Sequence, residues 1–240
     1  MVDMLEAKAI NVSFGGLRVI KNVDMHLERA EILGLIGPNG AGKTTFVNVL
    51  SGFQKPKGGT VFLGGQDITH RRPEDRVRLG LVRTFQAVRL FGNLTVRENI
   101  EVAALALGLS RREARIRVEE AMEAMQLTEQ ASQQANALPY GYERRVGVAR
   151  ALVAQPQFIL LDEPAAGLNE REGREFLQSV RDIKAMGCGV LLIEHNMRIV
   201  FDLCDRIQVL QSGETLATGD ADHIRNHALV REAYLGKKVA

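Results

Sequence analysis

One stretch constrains this chain more than any other: Gly37-Pro38-Asn39-Gly40-Ala41-Gly42-Lys43-Thr44-Thr45, a complete G-x-x-x-x-G-K-[ST] pattern. The apolar run Ile32-Leu33-Gly34-Leu35-Ile36 before it has the length and composition of a buried strand. The segment after it, Lys43 to Leu50, contains neither Pro nor Gly and reads as a helix. Strand, glycine-rich loop and helix is the context in which this pattern binds phosphate. Backbone N–H groups of Gly37, Asn39, Gly40, Ala41, Gly42 and Thr45 can then wrap the phosphates, aided by the positive end of the helix dipole. Lys43 is expected to reach the β- and γ-phosphates, and the Thr44 hydroxyl to coordinate Mg²⁺. The bland alternative, a glycine-rich turn with an accidental Lys-Thr, does not account for the flanking strand and helix.

Size and composition bound what surrounds this loop. The 240 residues suffice for one large domain or two small ones, and 45% hydrophobic with 25% charged residues is ordinary for a folded soluble protein. A formal net charge of +2 argues against nucleic acid as a partner held by bulk electrostatics. The two cysteines, Cys188 and Cys204, lack metal-type spacing and read as reduced thiols of a cytosolic protein. The N-terminus lacks the basic and apolar blocks of a signal peptide, and no run approaches the ~18 apolar residues of a membrane span. Any work at a membrane would need a partner.

Along the chain, Leu5 to Phe14 and Val19 to Leu27 alternate as paired strands do. Gly58 to Gly65 reads as a short strand between turns, and Leu81 to Phe85 as another. From Thr95 to Gln134 the character changes to Ala, Glu, Arg and Leu, with Val118, Met122 and Met125 at helical spacing. The Arg111-Arg112 and Glu119-Glu120 pairs there read as solvated helix surface. A helix after Pro139 running through Ala154, the strand Phe158 to Leu161, a helix over Glu170 to Met186, the strand Gly189 to Ile193 and a strand pair around Ile207 to Leu216 follow. This alternation implies an α/β fold with a mainly parallel sheet.

The strand Phe158-Ile159-Leu160-Leu161 ends in Asp162-Glu163. Ligands of open α/β sheets bind at such strand ends. With a phosphate loop in the same chain, Asp162 is expected to hold Mg²⁺ and Glu163 to accept a proton from an attacking water. Alone, the pair would read as an acidic turn.

The order phosphate loop, Gln86 after a short strand, Asp162-Glu163-Pro164, then His195 after another strand resembles the ATP-binding subunits of ABC transporters over essentially the whole chain. The resemblance implies a P-loop NTPase core of ABC type in one domain, 1–240. An antiparallel β subdomain and a helical subdomain at about 90–155 would accompany the mainly parallel sheet. It implies ATP and Mg²⁺, with Gln86 sensing the metal and the attacking water and His195 contacting the γ-phosphate. Phe14 would stack on adenine; its alternative is a core Phe ending a strand. The signature segment departs from the family's Leu-Ser-Gly-Gly-Gln: here Leu138-Pro139-Tyr140-Gly141-Tyr142 keeps only Leu138 and Gly141. Gly141 and the following helix can still offer N–H groups to a γ-phosphate on a second ATP-binding subunit. Asn169 also stands where many members have Asp.

Arg83-Thr84-Phe85-Gln86, Leu94 to Asn99, Pro164 to Asn169, Ile193 to Met197, and the tail from His223 through Tyr234-Leu235-Gly236 together resemble LivG-type ATP-binding subunits of branched-chain amino acid importers. The tail also resembles the lipopolysaccharide-export ATPase. The resemblance implies an energy-coupling ATPase on the cytoplasmic face of the inner membrane. Its partners would be a second ATP-binding subunit (a copy or a sister ATPase), permease subunits and, indirectly, a periplasmic binding protein. Val88, Leu90 and Phe91 would form a groove for the permease, with plain core packing as their alternative. An ATPase of an iron–sulfur assembly machine is the other reading; a DNA-repair ATPase would need a long coiled-coil insertion, which this sequence lacks.

Overall fold

The computed structural model describes residues 4–86 and 88–235; Gly236 of the tail run lies outside them. The chain opens with two alternating strands, β1 (Met4–Phe14) and β2 (Leu17–Glu28), which pair antiparallel. The central strand β3 (Ile32–Ile36) leads through the phosphate loop into α1 (Lys43–Ser51). Next come β4 (Gly58–Leu63), β5 (Gln66–Asp67), α2 (Pro73–Arg78) and β6 (Leu81–Arg83). Three helices follow: α3 (Val96–Ala106), α4 (Arg111–Ala124) and α5 (Tyr140–Leu152). The chain then returns to strands with β7 (Phe158–Asp162), α6 (Glu170–Ala185), β8 (Gly189–Ile193) and α7 (Met197–Leu203). It closes with β9 (Arg206–Gln211), β10 (Glu214–Gly219), α8 (Ala221–Asn226) and α9 (Ala228–Leu235).

Two sheets result. An antiparallel sheet runs β2-β1-β4-β5, and a six-stranded sheet runs β10-β9-β3-β8-β7-β6 with only β10 antiparallel. The central strands β3, β7 and β8 are buried along their whole length, so they read as continuous apolar runs and not as alternation. Alternation survives in where their side chains go. Ile32, Ile36, Ile159, Leu161, Val190 and Leu192 face one core, with Ile100, Val118, Met122, Val146, Phe176 and Val180 from the helices. Leu33, Leu35, Phe158, Leu160, Leu191 and Ile193 face the other, with Phe46 and Leu50 of α1 and Leu5, Ile10, Val12 and Val61 of the antiparallel sheet.

The helical region consists of α3 and α4, each opened by a capping box, Thr95 with Glu98 and Ser110 with Glu113. Val118, Met122 and Met125 are fully buried, while Arg111, Arg112, Glu119 and Glu120 are exposed. The expected strand over Leu81 to Phe85 stops at Arg83, although Thr84 N still donates to Leu160 O at 2.9 Å. Beyond it the chain leaves the sheet to carry Gln86 toward Glu163. Both cysteines are free and buried, and burial pushes their thiols up to about 12, so neither is a ready nucleophile.

Candidate active site

Four neighbouring parallel strands, β3, β8, β7 and β6, end at the same edge of the sheet. From these ends emerge the phosphate loop, Glu194-His195, Asp162-Glu163 and the Thr84 to Gln86 segment. Parallel strands bring their C-terminal ends together whatever their separation in sequence, which makes this edge the binding edge of an open α/β sheet.

The phosphate loop is held from behind. Gly213, in the β9–β10 turn, donates to Ala41 O at 3.0 Å and accepts from Lys21 N at 2.8 Å. Gly42 has φ +102°, and a Cβ there would come within 2.6 Å of Ile20 Cδ1, so the turn into α1 admits only glycine. Gly37 and Ala41 are buried, Gly42 and Thr45 half-buried, and Asn39, Gly40 and Thr44 exposed. Lys43 is buried and donates from Nζ to Gly37 O at 2.5 Å and Pro38 O at 3.1 Å. Burial lowers its pKa, opposed by the negative charges of Glu163 and then Asp162.

Glu163 is the centre of the cluster. Its Oε2 accepts from Gln86 Nε2 at 2.6 Å, and its Oε1 pairs with His195 Nε2. Three residues far apart in sequence therefore meet at one carboxylate. The backbone of Glu163 sits at φ +49°, an uncommon conformation for a non-glycine residue, locked by its N–H donating to Ile193 O at 2.9 Å.

Asp162 is buried at the end of β7, and its Oδ2 accepts from Arg83 Nη2 at 2.9 Å. Arg83 also reaches α1, donating from Nη1 to Asn48 Oδ1 at 2.5 Å and Ser51 Oγ at 3.2 Å. The guanidinium ties β6, β7 and α1 together beneath the site. Sequence reasoning assigned Arg83 no role. Its signal was weak: one cation at the end of a short strand, whose neighbour β7 only the topology identifies.

Glu194 was also unassigned. It is 4% exposed, and its carboxylate accepts from Ala165 N at 3.0 Å and from His195 N at 3.2 Å. It thereby joins the loop after Glu163 to the backbone that carries His195. Burial raises its pKa, with backbone hydrogen bonds from Ala165, His195 and Asn196 pulling the other way.

Two predicted residues sit on other elements, Phe14 on β1 and Gly141 on α5. Phe14 ends β1 before the Gly15-Gly16 turn and is 51% exposed, so the core-Phe alternative is corrected. Gly141 is buried in the first turn of α5, where a Cβ would come within 3.0 Å of Glu172 on α6. Pro139 is the N-cap of α5 and Tyr140 its exposed first residue. A cleft of about 610 Å³ beside the Gln86 segment is lined by Phe85, Val88, Arg89, Ala103, Gly147 and Arg150, among others. Of the three expected groove residues only Val88 lines it. Leu90 packs on the core, and half-exposed Phe91 lies under the Arg150 guanidinium at 5.6 Å.

The family model described as "ABC transporter" matches residues 20–166, more than half of the chain. The chain belongs to the ATP-binding subunits of the ABC transporter family. It is thus an ABC-type ATPase, and nucleotide binding comes with the family. A second model, described as "Branched-chain amino acid ATP-binding cassette transporter", matches residues 214–240. The high-affinity branched-chain amino acid transport ATP-binding protein LivG of Escherichia coli (strain K12) is 42% identical, with 98% of each chain covered. The lipopolysaccharide export system ATP-binding protein LptB of Acidithiobacillus ferridurans is 35% identical, also over 98% of each. Among solved structures, the ADP conformation of MJ1267, an ATP-binding cassette of an ABC transporter, superposes with a TM-score of 0.89 at 29% identity, covering 99% of this chain and 100% of that one. Among the described residues no helix is long and apolar enough to cross a membrane.

Proposed function

We propose that this ABC ATPase powers an importer for branched-chain amino acids or related small polar solutes. It would work with permease subunits and a second ATP-binding subunit on the cytoplasmic face of the inner membrane, a periplasmic binding protein delivering the solute. The observation that carries the hydrolytic reading is the meeting of Gln86, His195 and Glu163 at one strand edge beside Lys43. The solute class is supported by the 42% identity to LivG and by the tail model over 214–240.

In this reading the loop N–H groups and Lys43 bind the β- and γ-phosphates, and Phe14 stacks on the base. Thr44, Asp162 and Gln86 offer only oxygen donors, which suits a hard cation such as Mg²⁺; bound there, it would neutralise charge developing on the phosphates. Glu163 accepts the proton of the attacking water, while Gln86 and His195 hold its two oxygens in orientation. The signature segment around Gly141 serves the site of the second subunit. The cleft by Phe85 and Val88 receives a segment of the permease.

Glu163→Gln should keep ATP binding and lower hydrolysis by ~10²–10⁴-fold, the usual contribution of a general base. Near-normal turnover of that variant, measured beside its membrane partners, would remove Glu163 from the role. A second reading, lipopolysaccharide export, draws on the 35% identity to LptB. Uptake of labelled leucine in a host deleted for this chain separates the two: unimpaired uptake with a failing outer membrane would favour export.

A further inference from the structure

Arg144, on the first turns of α5, is 7% exposed, yet neutral oxygens hold its guanidinium. Nε donates to the Tyr140 hydroxyl at 3.0 Å, Nη2 donates to the same hydroxyl, and Nη1 donates to the main-chain carbonyl of Gln86. The guanidinium also lies 4.9 Å from the centre of the Tyr140 ring. Burying a charge is costly unless it is paired or hydrogen-bonded, and here three hydrogen bonds to neutral oxygens take the place of an ion pair. What they hold is Gln86, whose side chain donates to Glu163 Oε2 at 2.6 Å.

Tyr140 is itself seated. Gly167 has φ +82°, and a Cβ there would come within 2.8 Å of Tyr140 Cε1, so the ring rests on the backbone of the loop that follows Glu163. The contacts close a circuit. The Glu163 loop supports the Tyr140 ring, the Tyr140 hydroxyl sets Arg144, Arg144 sets the Gln86 main chain, and the Gln86 amide returns to Glu163. A phenylalanine at 140 would keep the ring on Gly167 and remove the acceptor that Arg144 needs.

We infer that Arg144, set by the Tyr140 hydroxyl, is a positioning residue for Gln86 and thereby for Glu163. The inference rests on the proposed placement of Gln86 and Glu163 in the hydrolytic site. It also gives the unusual signature segment a role inside its own chain, where Tyr140 links the turn that would face the opposite ATP to the Gln86 of its own site.

The test is ATPase kinetics of the full chain carrying Tyr140→Phe, Arg144→Lys, Arg144→Ala and Gln86→Ala, singly and combined, with thermal melts as a check on folding. Tyr140→Phe and Arg144→Lys should lower kcat by about tenfold while KM for MgATP moves by less than about twofold, because the phosphate loop is untouched. In the Gln86→Ala background the same changes should cost less than about twofold more, since what Arg144 positions is gone. Equal losses in both backgrounds, or a KM rise at constant kcat, would overturn the inference while leaving Gln86 in the site. A Gln86→Ala chain with unaltered kcat would overturn the placement of Gln86 and the inference with it. Should Arg144→Ala not fold, Tyr140→Phe, which keeps the ring on Gly167, decides.

Discussion

At the residue scale the site depends on side chains that do no chemistry. Glu194 accepts backbone N–H groups on both sides of the cluster while almost fully buried. Its burial has a consequence for stability. A carboxyl whose folded pKa lies above the ordinary 4.5 binds its proton more tightly in the folded chain, so stability falls as pH rises from that value through the raised folded pKa. Glu194→Gln has no proton to lose, and its stability should be flatter over the same range. Urea melts of both chains from acid to neutral pH read this directly; identical slopes would show that Glu194 ionises freely in the fold. Lys43, Asp162 and Glu163 stood out as candidates because each sits in or beside a recognisable pattern, whereas His195 did so only through the family resemblance. Arg83, Arg144 and Glu194 did not, because a lone charged residue in sequence carries no sign of whether it is solvated or buried.

At the element scale the helices begin where local chemistry says they should. Asn169, the departure from the family's usual Asp, caps α6: its Oδ1 accepts from Arg171 N and Glu172 N at 3.0 Å each, and Glu172 Oε2 accepts from Asn169 N at 3.0 Å. Asparagine and aspartate serve this position about equally. Asn169→Ala should cost ~1 kcal/mol in chemical denaturation and Asn169→Asp a few tenths. A loss on Asp as large as that on Ala would mean that Asn169 acts through something other than its cap. Strand and helix positions were readable because apolar periodicity and capping act over a few residues. The helical region showed its composition but not its division into α3 and α4; that break lies at Gly108-Leu109-Ser110, where a φ of +76° at Gly108 precedes the cap.

At the scale of the molecule, the proposed completion of the site by a second chain would make assembly depend on nucleotide. The chain should sediment as a monomer without ATP and pair when Glu163→Gln is loaded with ATP, alone or with a sister ATPase; a monomer at high concentration under both conditions would argue against a shared site. What the sequence determined by itself was local in origin. The phosphate loop between β3 and α1, the acidic end of β7 and the buried strands follow from residues within a few positions of one another. What only the tertiary structure decided were the pairings across it: Arg83 with Asp162, 79 residues on, Gln86 with Glu163, 77 on, and Arg144 with the carbonyl of Gln86, 58 back. These depend on the order β3-β8-β7-β6, in which β3 pairs with β8 across most of the chain and β6 pairs with β7 across the whole helical region. Local preferences choose the strands and helices, but strand order follows from packing both faces of the sheet at once. The contacts at its edge therefore exist only after the whole core has formed.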